Sequence, residues 1–168
     1  VQLLDPDDRP RFARAGIAAS IQPIHVRADA TVARLLWGDR AETIGYPMRS
    51  LQEAGAVLAF GTDAPVEPID PWPGLSMAVT RIDGSWPAGS APFGPDERLT
   101  IEQALRAATI GPAVSAGEVD RGRLIPGQRG DLIVIPIEAL ANPIEPGGAL
   151  ATARPRVVVI DGETAFEA

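Results

Sequence analysis

The sequence predicts an α/β chain that ends in a small β-rich segment. Three observations carry that expectation. Residues 1–117 alternate short helix-like and strand-like stretches, the pattern of βαβ units around a parallel sheet. Val57–Phe60 is an apolar run without a two-residue period, as in strands buried on both faces. After Gly117 the chain turns to short β-type runs around Pro-Gly and Asp-Gly turns, which divides it near residue 118 into 1–117 and 118–168.

The elements follow in order. "DPDDRPRFARAG" opens on Asp and Pro and closes on Gly16, the punctuation of a helix. "IAASIQPIHV" is a short strand whose end is marked by Pro23. "DATVARLLWGDRA" is an amphipathic helix with Asp29 as its cap and Val32, Leu35 and Leu36 on the expected core face. "ETIGYP" has room for a very short strand, and "MRSLQEAG" for a helix stopped by Gly55. The strand "AVLAFGTD" comes next. Residues 64–98, rich in Pro, Gly and Ser, read as one long loop, a length often tied to function. "LTIEQALRAATI" is the clearest helix, with Thr100 and Gln103 spaced for a capping box, and "AVSAG" adds a turn after Gly111-Pro112. "GRLIPGQRGDLIVIPI" reads as two β segments about Pro126-Gly127, and "ARPRVVVIDGETAFEA" as two more about Asp161-Gly162.

Composition narrows the function classes. With 168 residues the chain can bury a sizeable core. A net charge of −7 argues against nucleic acid, whose phosphates need a basic face. Every basic residue is Arg, so lysine nucleophiles and Schiff bases are excluded from this segment. There is no Cys, hence no disulfide and no thiolate chemistry, which is compatible with a reducing cytoplasm, the expected location. No apolar run reaches the roughly 20 residues of a membrane helix, and no basic-then-apolar leader opens the chain. The first residue is Val1 rather than Met, so the chain is expected to be a processed or cut piece.

Two side chains stand at strand ends, where parallel α/β folds place ligands and catalytic groups. Asp63 follows "VLAFGT", and His25, the sole histidine, lies two residues after Pro23. A buried carboxylate is costly unless a cation, an Arg or backbone N–H groups hold it ionised. Asp63 has two open readings: such a held carboxylate, or a cap on the turn before Pro65. A lone His is more often a satisfied core or surface residue than a ligand. Imidazole with carboxylate is nevertheless a common pair on zinc and similar ions, and a catalytic zinc takes about three protein ligands.

"GIAASIQPIH", "RSLQEAGAVLAFGTDAPVEPIDP", "AVTR", "ERLTIEQALRAATIGPA" and "GRLIPGQRGDLIVI" resemble, in that order, the metal-dependent amidohydrolases, most closely the amidohydrolase 3 branch with its formamide deformylase-like proteins. The resemblance spans nearly the whole chain. It implies the carboxyl-terminal part of a TIM-like (β/α)8 barrel, its sixth to eighth strands, with strands of a small β-sandwich. It also implies a divalent metal, expected to be zinc, and hydrolysis of non-peptide C–N bonds in a small amide-type substrate. Asp63 matches the family's metal-binding, proton-moving aspartate, and His25 falls where a sixth-strand histidine ligand is expected. Thr62 stands where relatives often carry Ser, and Gly130 where many carry Ala. The other implied ligands, a His-x-His pair, a bridging Lys or acid and a fifth-strand His, would lie upstream. On this reading the isolated chain is an inactive fragment that oligomerises or needs the missing amino-terminal segment, because a barrel wedge has open edges.

Smaller expectations concern the surroundings. Gln22 at the barrel mouth is either a substrate contact or a backbone-satisfying side chain. Trp72 and Trp86 are either pocket-lining or loop-packing. Arg81 is expected to anchor the loop to Glu67 or Asp70, and Asp131 to be structural.

Overall fold

Two short sheets organise the chain. A parallel pair joins β1 (Ala19–Ile21) to β2 (Leu58–Phe60). An antiparallel trio sets β3 (Leu132–Val134), β4 (Val157–Ile160) and β5 (Glu163–Glu167) side by side. The computed structural model describes residues 1–168, and none of its helices is long and apolar enough to cross a membrane.

Helices pack around the parallel pair. α1 (Arg9–Ala15) follows a 3-10 turn at Pro6–Asp8, and Gly16 ends it in the left-handed region at φ 65°. β1 passes through a second 3-10 turn, Pro23–His25, straight into α2 (Val26–Trp37). His25 therefore occupies the cap position, and Asp29, expected as the cap, lies inside the first turn. There its carboxylate accepts the hydroxyl of Tyr46 instead.

The inward face of α2 also differs from expectation. Val26, Ala30 and Ala33 are buried, whereas Val32, Leu35 and Leu36 are 52, 80 and 69% exposed. Both sets recur at helical spacing, so periodicity alone could not choose between them. The stripe carrying the two alanines is the narrower one, and it admits closer packing. "ETIGYP" forms no strand: α3 (Ala41–Ile44) takes its place, and Gly45 makes only an isolated bridge to Leu3. The parallel sheet thus has two strands, not three. α4 (Met48–Glu53) leads to Gly55, at φ 87°, and on to β2.

Residues 64–98 are not one loop. α5 (Trp72–Thr80) forms within them, with seven consecutive buried residues from Gly74 to Thr80. "WPGLSMAVT" shows no periodicity because its surroundings are apolar on nearly every side, the mark of a central helix. Asp70 starts it by accepting the Trp72 amide at 3.1 Å.

Arg81 follows with no solvent exposure and a left-handed φ of 59°. It does not reach Glu67 or Asp70. Its guanidinium donates to the carbonyls of Phe93 at 2.6 Å, Tyr46 at 3.2 Å and Gly45 at 3.4 Å, and lies 5.5 Å from the Phe93 ring centre. Burial pulls its pKa down to about 10, and Glu97 and Glu42 oppose that pull, so it stays charged at neutral pH.

α6 (Ile101–Ala108) carries the expected capping box, with Thr100 and Gln103 exchanging bonds of 2.8 and 3.2 Å. α7 (Ile110–Ser115) runs through Gly111 and Pro112 rather than starting after them. Gly111 has a steric reason: a Cβ there would lie 1.8 Å from the Leu58 carbonyl oxygen of β2. The first of the two expected β pairs yields only β3, since residues 123–127 form no strand; α8 (Glu138–Ala141) follows it. The second pair is the β4–β5 hairpin, whose turn residues Asp161 and Gly162 have φ of 51° and 82°. Asp131 is structural, accepting the Asp161 amide at 2.8 Å.

Gly111→Ala should lower unfolding stability by about 1–3 kcal/mol, while Gly61→Ala, with no heavy atom within 4 Å of its added Cβ, should stay within about 0.5 kcal/mol of the parent. Paired denaturant titrations measure both.

Candidate functional site

The register of the parallel pair assembles the site. Ile21 lies opposite Phe60, and the Gly61 amide donates to the Ile21 carbonyl at 3.2 Å, so both strands finish together at the carboxyl end of the sheet. The 3-10 turn after β1 then carries His25, and the turn after β2 carries Asp63. His25 Nε2 and Asp63 Oδ2 stand 3.9 Å apart. That gap is too long for a hydrogen bond.

The two groups differ in surroundings. The His25 side chain is 14% exposed, and its Nε2 is a buried atom with no hydrogen-bond partner. Unpaired buried polar atoms are uncommon and call for an explanation. The Asp63 side chain is 56% exposed, which corrects the expectation of a buried carboxylate. Its backbone sits in the left-handed region at φ 62°, and its carbonyl accepts the Val66 amide at 2.8 Å. Asp is among the few residues that adopt this conformation at small cost. Turn-forming and chemistry are thus compatible in one residue.

The remaining candidates fall around this pair. Gln22 caps the Pro23–His25 turn, and its amide donates to Ser20 Oγ at 3.4 Å. Trp72 is 4% exposed and lines an apolar groove of about 630 Å³ against Leu105, Leu132 and Val158. Neither His25 nor Asp63 lines that groove, so its size gives it no claim to be the catalytic cleft. The Trp86 indole donates to the Arg27 carbonyl at 3.0 Å, and Arg27 pairs with Glu67 at 2.6 Å. Arg27 carried no sequence signal, since a lone Arg on a helix normally points to solvent. Asp70 pairs with Arg154 at 3.0 Å.

His25 and Asp63 offer a metal ion two donors. One imidazole nitrogen and one carboxylate oxygen suit zinc and its neighbours. Two such donors, each about 2.0–2.2 Å from an ion, stand roughly 3.4 Å apart at the tetrahedral angle, so the pair, at 3.9 Å, needs to close by about half an ångström to share one. The unpartnered Nε2 faces the carboxylate rather than a competing bond. The pair fits one edge of a metal site. No group of three or more His, Asp or Glu side chains converges anywhere in the chain.

These features define an α/β protein that presents an imidazole and a carboxylate side by side where two parallel strands end. The model of the amidohydrolase family matches residues 1–166, and the chain belongs to that family. Relatives include protein LONG AFTER FAR-RED 3 of Arabidopsis thaliana, 37% identical over 80% of this chain and 23% of its own length. The amidohydrolase-family protein YtcJ of Bacillus subtilis is 32% identical over 99% of this chain and 31% of its own. N-substituted formamide deformylase of Arthrobacter pascens is 35% identical over 54% of this chain and 16% of its own. Among solved structures, an uncharacterized metal-dependent hydrolase from Pyrococcus horikoshii superposes with a TM-score of 0.66 at 30% identity, over 76% of this chain and 26% of that one. The chain therefore spans less than a third of each of these relatives.

The left-handed backbone at Asp63 separates fold from charge. Asp63→Asn should keep unfolding stability within about 0.5 kcal/mol of the parent, and Asp63→Val should lose about 1–2 kcal/mol. Denaturant titration of the two variants reads the difference.

Proposed function

We propose that this chain is the carboxyl-terminal part of a metal-dependent hydrolase that cleaves non-peptide C–N bonds in small amide-type molecules. The observation that carries the reading is the unpartnered His25 Nε2, buried and facing Asp63 Oδ2 across 3.9 Å. In this proposal residues 1–117 belong to a TIM-like barrel and 118–168 to a composite β-sandwich. The formamide deformylase relative supports the amide class, and the metal-dependent hydrolase neighbour supports the divalent ion.

His25 would hold the metal through Nε2, and Asp63 through a carboxylate oxygen. When bound, such a cation supplies the charge that makes water acidic enough to give hydroxide near neutral pH. Asp63 accepts the proton of the attacking water as general base. The same carboxyl then returns that proton to the departing nitrogen, which leaves as a neutral amine. The exposure of Asp63 serves this exchange, because a proton-transfer group must meet both water and substrate. Gln22, at the adjoining turn, is the proposed hydrogen-bond contact for the substrate carbonyl. Trp72 is buried in the groove beside the β segment, and we assign it packing in place of substrate contact.

Two donors fall short of the roughly three protein ligands of a catalytic zinc. That shortage favours a second statement: the isolated 168-residue chain is catalytically incomplete and takes its further ligands from an upstream barrel half or a partner.

Asp63→Asn in the complete enzyme should lower kcat on N-substituted formamides and simple amides by about 10²–10⁴-fold, with an unchanged far-ultraviolet circular dichroism spectrum. A rate within threefold of the parent would remove Asp63 from the mechanism. The isolated chain, dialysed against Zn2+ and assayed by atomic absorption, should retain no stoichiometric metal; one tightly held equivalent per monomer would refute its incompleteness.

A further inference from the structure

Two contacts grip the chain immediately after His25. The Arg27 guanidinium donates to Glu67 Oε2 at 2.6 Å, and the Trp86 indole donates to the Arg27 carbonyl at 3.0 Å. Arg27 lies in the first turn of α2, two residues beyond His25, and Glu67 lies four residues beyond Asp63. The ion pair therefore ties together the two turns that carry the proposed ligands.

It is not an ordinary surface pair. Glu67 is only 12% exposed, against 38% for Arg27, so solvent screens it less than the exposed pairs elsewhere. The comparison is Arg49–Glu53, at 2.7 Å with both partners more than half exposed, which joins residues of one short helix and holds nothing else. The turns need such a link. β1 and β2 are three residues each, and beyond Gly61 the backbone ladder between them stops. The Asp63 turn has one backbone bond of its own, from the Val66 amide.

We propose that Arg27 and Glu67 form a positioning clamp that sets the separation of His25 Nε2 and Asp63 Oδ2, and through it the affinity of the site for a divalent cation. This rests on the reading of His25 and Asp63 as metal ligands. Arg27 and Glu67 touch no reacting atom and act through the turns they join. A loosened clamp leaves both ligands in place but lets the Asp63 turn drift, so an ion meets one fixed donor rather than two. Residues that orient metal ligands typically change affinity by about 10–100-fold when altered.

The test uses the intact enzyme, stripped of metal, with Zn2+ alone as probe in competition with a chromophoric chelator. Arg27→Gln and Glu67→Gln should each weaken Zn2+ binding by about 10-fold or more. The double variant should be no weaker than the worse single one, because both break the same link. The visible spectrum of the Co2+-loaded protein should change in both variants and stay unchanged in Glu53→Gln, which removes the comparison pair. Affinities within twofold of the parent, or two losses that multiply in the double variant, would overturn the clamp. Should Glu67→Gln fold poorly, the more exposed Arg27→Gln carries the same test. Asp63→Asn separates the two levels: if it loses Zn2+ affinity while the clamp variants do not, only the clamp falls. If Asp63→Asn also binds as the parent does, the ligand assignment falls with it.

Discussion

The guanidinium of Arg81 has no solvent contact, and every bond it makes is to backbone carbonyl oxygen. A buried charge of that kind is tolerable only where several acceptors converge on it. Here they come from the turn at Gly45 and Tyr46 and from Phe93, with the arginine itself ending α5 as its cap. Three distant stretches of chain are thereby fixed to one another. Tyr46 passes the constraint on: its hydroxyl donates to Asp29 on α2. Burial, joined by that carboxylate, pushes the phenol's pKa upward and keeps it a donor. His25 caps α2, so the placement of the imidazole depends on a cation that does no chemistry.

A second constraint acts from below the site. α7 lies so close to β2 that only glycine fits at position 111. β2 is thus held against a helix on one side and β1 on the other, and its last residue leads directly to Gly61, Thr62 and Asp63. A strand held on two sides and a short turn closed by one backbone bond make a small platform for one carboxylate. This is the usual economy of parallel α/β folds, in which the sheet fixes the chain and the loops beyond it hold the reactive groups.

Much of this was legible in the residues. Gly16, Gly55, the Thr100–Gln103 box and the Asp161-Gly162 turn each work through local backbone chemistry, and each appears where its residues indicate. The two strand ends bearing His25 and Asp63 were legible for the same reason. What failed was decided by packing. The Val32, Leu35 and Leu36 stripe of α2 is the more apolar in sequence, and only the neighbouring elements choose the alanine side. α5 hid in a stretch rich in Pro and Gly because an enveloped helix needs no polar face. Arg81 suggested a carboxylate partner, but converging carbonyls are a feature of the folded chain and leave no mark at any one position. Likewise nothing in the order of residues pairs Arg27 with Glu67.

The positive φ of Asp63 has a consequence for how this segment ages in evolution. A single-nucleotide transition that changes an aspartate codon's meaning yields asparagine or glycine, and both suit a left-handed backbone at least as well. Loss of the acid therefore meets no resistance from folding. Copies freed from selection for catalysis would drift at this position first toward those two residues while the surrounding scaffold persists. Well-folded paralogues reading "GTN" or "GTG" in place of "GTD" would be the trace of that drift.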